Sequence, residues 1–367
     1  MAERLAVYYD PAILQHDTGE GFFEAPRSPL LPIAETHPEN RARVENMLGI
    51  LREGPLAADL DWFQAEPADR EEIERFHTAE YVDELASIPE TESRAFSGTT
   101  VFGPGSFDIC CRAAGQAIGA ANQVFNGEHK VAYALVRPPG HHAQPAMADG
   151  YCFFNNIGVA IENLRAQGLS RAAVIDWDVH HGNGTQEGFY SDPDVLTISL
   201  HMDHGAWGAT HPQTGAVDET GADAGRGKNL NLPMPFGSGD EAYTRAFTDL
   251  IEPLVKAHEP EILFIAAGQD ANQFDPNGRQ LLSMSGFNRL GRLARELANR
   301  CCDGRLVLIQ EGGYAVSYAA YCLHATLAGA LLRENELEDP LAFMSDEKLD
   351  LDNFIAGVRS EFAAGGG

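Results

Sequence analysis

Residues 171–186 read RAAVIDWDVHHGNGTQ. Ala172, Ala173, Val174 and Ile175 form a short β-prone run bounded by polar residues and glycine, the pattern of a buried strand. Beyond it, Asp176, Asp178 and His180 fall at every second position, with a second histidine, His181, next in line. Side chains two apart point the same way in extended backbone, so the three share one face if the strand continues past Asp176. Two carboxylates held close repel each other, and a bound cation with an imidazole ligand relieves that repulsion. The competing reading is a polar strand end with solvated carboxylates; the whole column followed by HHGNG argues against it.

Working outward, apolar runs alternate with helical patterns, as a mostly parallel sheet flanked by helices requires. Strands are expected at 5–9, 131–136, 172–176, 195–200, 262–267 and 306–310, and helices at 41–51, 107–124, 157–166, 241–258 and 287–299. No repeat or long linker interrupts this alternation, so a single α/β domain over 1–367 is the simpler organisation. Residues 202–228 are polar and glycine-rich with no period, a long loop of the kind that often carries function.

Reactive side chains follow several of the expected strands. RPPGHH brings His141 and His142 after the second strand, GQD brings Asp270 after the fifth, and QEGGY brings Tyr314 after the last. In open parallel sheets, sites form at the carboxyl ends of strands, so these segments can meet in one pocket. Asp178, His180 and Asp270 would give an O/N/O metal site with room for water, which suits catalytic zinc, although ferrous iron or cobalt tolerates the same set. His141 and His142 supply acid and base near neutral pH, and Tyr314 a hydrogen bond for a developing oxyanion. Together these parts specify hydrolysis of an acyl bond. Singly, each has an ordinary explanation: tandem histidines at a surface, a Gly-Gly-Tyr turn, or Gly268 and Asp270 as a helix cap.

Composition narrows the partners. With 26 Lys plus Arg against 54 Asp plus Glu, the formal charge of -28 opposes binding to nucleic acid or anionic membrane. No apolar stretch approaches the roughly 20 residues of a membrane span, and MAERLAVYYD has no signal-peptide pattern, so a cytoplasmic protein is expected. Six cysteines with no C-x-x-C spacing indicate neither a zinc knuckle nor a disulfide framework, and most read as core thiols. A homo-oligomer, dimer or tetramer, is expected.

The blocks RPPGHHA, GYCFFNN, DWDVHHGNGTQ, SLH, GQDAN followed by DP, and QEGGY, with HPENRARV near residue 37, resemble the histone deacetylase and acetylpolyamine amidohydrolase superfamily. The likeness is to its class II branch and bacterial histone-deacetylase-like amidohydrolases. It implies the arginase/deacetylase fold, one domain around an eight-stranded parallel sheet. It also implies zinc on Asp178, His180 and Asp270, a catalytic pair His141 and His142, and Tyr314 as oxyanion residue. A structural potassium ion would use Asp176, Asp178, His180, Ser199 and Leu200, and Asp176 would also orient His141. His142 is read as general base and then acid, an order the residues alone leave open. Gly150, Tyr151, His211, Asn277 and Gly312 are placed on the substrate tunnel.

Three departures stand out. Gln269 replaces a more usual Phe, and its role does not follow from the sequence. Asn183 stands where class I members carry Asp, so the histidine it supports is less biased towards imidazolium. Asn277 occupies the position where the polyamine-selective branch has Glu, which favours acetyl-lysine-type substrates over acetylated polyamines. The alternatives are an acetylpolyamine or other small-molecule amidohydrolase, an arginase-type ureohydrolase with two manganese ions, and a non-catalytic acyl-lysine binding module.

Overall fold

Strands β1 (Leu5–Tyr8), β2 (Leu60–Phe63), β3 (Val131–Ala134), β4 (Ala172–Asp176), β5 (Val195–Met202), β6 (Asn229–Met234), β7 (Ile262–Ala267) and β8 (Leu306–Gln310) build one sheet in the computed structural model, which describes residues 3–21, 23, 28–205, 211–339 and 349–365. Every pairing is parallel, and the order is β6-β5-β4-β7-β8-β3-β1-β2. The inner strands are buried along their whole length because both sheet faces are covered, which is why they read as unbroken apolar runs. One face packs against Arg41–Glu53, Met284–Cys301 and Tyr318–Ala330, the other against Ser106–Phe125 and Asn156–Arg165, giving two apolar cores.

The six expected strands are all present, within two residues at either end. The two edge strands are additional, and each hides its nature locally. Leu60–Phe63 carries an Asp and is only partly buried, while Asn229–Met234 alternates buried Asn with Leu and includes Pro233, which an edge tolerates. Tyr318–Ala330 also escapes a periodicity reading because it is buried almost all round, Tyr321 excepted, and has no polar face. The helix expected over 241–258 is present as one continuous helical run, Asp240–Ala246 and Glu252–His258 joined by a π turn at Phe247–Ile251. Pro253 has no N–H for the carbonyl of Asp249, which accepts from Arg359 Nη2 at 3.0 Å instead.

The topology positions the site. The chain passes from β3 to β4 leaving a gap that β7 and β8 later fill. The four strands carrying the reactive residues thus stand side by side at the centre of the sheet, their carboxyl ends together. All six cysteines are free, five of them buried and Cys301 partly so. Among the described residues no helix is long and apolar enough to cross a membrane.

Candidate active site

The acidic column forms differently from a continued strand. β4 ends at Asp176, and Asp178 and His180 lie in the following loop. Each carboxylate accepts from the N–H two residues on: Asp176 Oδ1 from Asp178 and Asp178 Oδ1 from His180, both at 3.0 Å. These side-chain-to-backbone turns, rather than strand alternation, keep the three side chains together.

Asp270 arrives from β7 and accepts from the N–H of Val179 at 2.8 Å, so it too forms no helix cap. Nδ1 of His180 lies 3.1 Å from both Asp178 Oδ1 and Asp270 Oδ2. Asp178, His180 and Asp270 are all buried, with ligand atoms within 4.8 Å of one another, the one such group among the described residues. Tetrahedral ligands about 2.1 Å from a metal stand about 3.4 Å apart, close to this spacing. Asp270 Oδ2, though in contact with His180, accepts no hydrogen bond, leaving a buried anionic oxygen for a cation. The set therefore fits one divalent metal.

Gly312 donates to Asp178 Oδ2 at 2.7 Å, and a Cβ on it would lie 2.0 Å from Asp270 Oδ2. Glycine is required there by close approach to the carboxylates. Gly312 is not among the residues that line the cleft.

The two histidines sit with ring centroids 4.0 Å apart. His141 Nδ1 donates to Asp176 Oδ2 at 2.8 Å, and His142 Nδ1 donates to Asn183 Oδ1 at 2.5 Å. Their environments differ. Burial favours a neutral His141, but Asp178 and Asp176 outweigh it and hold this ring well above the usual histidine range. Burial, then the neighbouring His141 and His180, drives His142 well below that range. With no cation, burial and then Asp178 push Asp270 up to about 7. Burial favours a neutral His180, but the neighbouring Asp178 and Asp270 carboxylates outweigh it and raise the ring to about 10.

Gly150 has φ +49° and packs directly on His142; a Cβ would come 2.2 Å from the ring's Cδ2. Tyr151 follows at φ +69°, a left-handed conformation rare for a bulky residue, which turns its ring edge-on to Tyr314 at 5.7 Å. Tyr314 is buried with only a small exposed fraction, and burial holds its hydroxyl protonated.

These groups line a cleft of about 770 Å³, a size suited to a small ligand. His142, His180 and Tyr314 lie on it together with Gly150, Tyr151, His211 and Asn277. Asn277 Nδ2 approaches Tyr151 Oη at 3.4 Å. Ser199 pairs with Asp176 across β4 and β5, and Leu200 follows it, fully buried. Residues 206–210 of the expected loop lie outside the described residues, and a short turn, Asp223–Gly225, interrupts the remainder.

Several site residues were not singled out by sequence. Glu39 accepts from Arg43 at 3.0 Å and Arg137 at 2.8 Å, all three buried. Arg43 donates to the carbonyls of Gly313 and Glu311 at 2.6 and 2.8 Å and lies 4.6 Å from the centre of the Tyr314 ring. Glu311 accepts from the N–H groups of Gly140 and His141, and Asp275 from those of Tyr314 and Ala315. This framework fixes the loops that carry His141 and Tyr314. The i,i+4 spacing of Glu39 and Arg43 was the available signal, but on a helix entry it reads equally as a surface pair. Gln269 acquires a role here: buried under the sheet end, its Oε1 accepts from Gln310 Nε2 at 2.8 Å, and Gln310 Oε1 accepts from Tyr133.

The order of strands and the site at their carboxyl ends are those of a known class. A histone deacetylase domain matches residues 37–330. Histone deacetylase 8 of Arabidopsis thaliana is 46% identical over 98% of this chain and 96% of its own length. A histone deacetylase-like amidohydrolase of Pseudomonas aeruginosa is 38% identical over 93% of this chain and 90% of its own. The crystal structure of the HDA15 HD domain superposes with a TM-score of 0.84 at 30% identity, covering 99% of this chain and 95% of that one. The chain belongs to the histone deacetylase family.

Proposed function

We propose that this protein is a zinc-dependent deacetylase that hydrolyses N-acetyl, and more broadly N-acyl, amides of lysine-like amines. The observation that carries the reading is the convergence of Asp178, His180 and Asp270 at an open cleft beside His142 and Tyr314. Zinc on these three residues supplies Lewis acidity, lowering the pKa of water and polarising a carbonyl. A potassium ion on Asp176, Asp178, His180, Ser199 and Leu200 belongs to the same reading.

The chain's own residues do the remaining work. His142, its Nδ1 committed to Asn183, takes the proton of the attacking water at Nε2 and passes it to the amine nitrogen as the C–N bond breaks. His141, anchored on Asp176, contributes positive charge beside it. Tyr314 Oη donates to the acyl oxygen as negative charge builds there. Acid and amine leave with the elements of one water added. Tyr151 offers an aromatic wall to the methylenes of an extended arm, and the neutral Asn277 gives a remote ammonium no full charge, favouring acetyl-lysine-type substrates over polyamines. The -28 charge attracts cationic substrates and disfavours nucleic acid and anionic membranes.

The test is a panel of acetyl-lysine peptides, acetylputrescine, acetylspermidine and small acyl amides, compared by kcat/KM on zinc-reconstituted protein. Tyr314→Phe is expected to lower kcat by about 100- to 1,000-fold with zinc content unchanged. Hydrolysis of none of the panel would overturn the reading, and a hundredfold preference for an acetylpolyamine would move the substrate.

A further inference from the structure

Asp149 joins the cleft wall to the catalytic pair. Its carboxylate is almost wholly buried, yet it lies among the cleft-lining residues. Oδ1 accepts from Nδ1 of His211 at 2.7 Å, and Oδ2 accepts from Nδ2 of Asn183 at 3.4 Å. The same Nδ2 faces the carbonyl of His142 at 3.5 Å, while Oδ1 of Asn183 accepts from His142 Nδ1 at 2.5 Å. His211, Asp149, Asn183 and His142 therefore form one chain of polar contacts from the wall to the reacting ring.

A side-chain amide has two faces of nearly the same shape and opposite hydrogen-bonding character. Turned over, Asn183 would present its NH₂ to His142 Nδ1, which would then have to accept, moving the ring proton to Nε2. A carboxylate at position 183 would carry no such ambiguity, since either oxygen accepts. Asp149 and the His142 carbonyl are both acceptors only, so the NH₂ group must face them, and of the two Asp149 carries the charge that strengthens the contact. We infer that Asp149 is a positioning residue that locks the amide of Asn183 and thereby keeps the proton of His142 on Nδ1, leaving Nε2 unprotonated towards the cleft. His211 holds Asp149 in that orientation from the wall. The catalytic consequence rests on the deacetylase reading; the tautomer does not.

The experiment uses zinc-loaded protein with ¹⁵N-labelled histidine. Long-range ¹H–¹⁵N spectra, with the His142 signals assigned by their loss in His142→Ala, report which ring nitrogen carries the proton. Asp149→Asn is nearly isosteric but can donate as well as accept, so it permits either orientation of Asn183. The wild type is expected to show Nδ1–H, and the variant a substantial Nε2–H population. On an acetyl-lysine peptide, kcat should fall about tenfold with KM unchanged, a small part of what general acid–base catalysis supplies. Adding Asn183→Asp to Asp149→Asn removes the two-faced amide and should restore both Nδ1–H and most of kcat. An unchanged tautomer in Asp149→Asn overturns the inference, as does a raised KM with unchanged kcat, which would make Asp149 a substrate contact. An Nε2–H ring in the double variant overturns it as well and applies even if the single variant does not fold. A shifted tautomer in a protein that hydrolyses no member of the panel upholds it while removing the deacetylase reading.

Discussion

Glu39 and Asp270 are both carboxylates with no exposed surface, yet their acidities move in opposite directions. Burial would raise Glu39, but Arg137 and Arg43 outweigh it and hold the group down at about 2. Burial, reinforced by Asp178, takes Asp270 up to about 7. The two clusters meet at Tyr314, whose ring faces Arg43 and whose contacts extend to His180. One has its counter-charges built in and serves as a scaffold for loops. The other is short of positive charge in the protein alone, with the raised His180 and His141 rings beside its carboxylates, which is what suits it to the proposed cation.

The hardest blow to this contrast is Glu39→Gln, which leaves two buried guanidinium groups without their carboxylate. It is expected to cost about 3–5 kcal/mol of stability at neutral pH, measured by urea unfolding. The loss should depend on pH. A depressed carboxyl contributes stability that is fully present above its ordinary value near 4.5 and is lost as pH falls to about 2, so wild type and variant should converge over that window. Equal stability at pH 7 would show that Glu39 is not the keystone of the scaffold.

Asp270→Asn should do the reverse. Because Asp270 is raised, the metal-free wild type loses stability as pH climbs from about 4 to about 7, and the amide removes that loss. Metal-free Asp270→Asn is expected to be more stable than metal-free wild type above pH 7, by on the order of 1 kcal/mol. Zinc should no longer stabilise it. A destabilised variant that still gains stability from zinc would break the comparison.

A smaller effect sharpens it. Ligation needs a neutral imidazole, and His180 without metal is raised to about 10, so zinc must displace its proton at neutral pH. Calorimetric titration at pH 7 in two buffers of different ionisation enthalpy should show release of about one proton or more per zinc. Zinc affinity should increase as pH rises towards 10. Binding without proton release would mean that His180 is already neutral.

The reactive residues were legible because short-range geometry dictates them. Asp176, Asp178 and His180 follow a buried strand at a spacing that side-chain-to-backbone bonds hold together, whichever backbone they adopt. The central strands were legible as unbroken apolar runs. What escaped had lost its pattern to context: Asn229–Met234 with its buried asparagines, Tyr318–Ala330 with no polar face, and the π turn that precedes Pro253 within an otherwise expected helix. Gln269 had no readable role because its partners, Gln310 and Tyr133, come from two other strands.

The sequence by itself determined which chemistry is available: three side chains of the kind that can ligate a metal, two histidines and a tyrosine, each following the end of a strand. Only the tertiary structure decided how those groups are charged and aimed. Glu39 reaches Arg137 across 98 positions, Arg43 reaches Gly313 across 270, and Asp149 meets Asn183 from another loop. Electrostatic and hydrogen-bond energies depend on distance in space and on the exclusion of water, and neither is written in the spacing of residues along the chain. His141 and His142 are adjacent in sequence and of one residue type; both are buried, and their opposite shifts arise because Asp178 and Asp176 lie beside one ring, whereas the other has His141 and His180 as its charged neighbours.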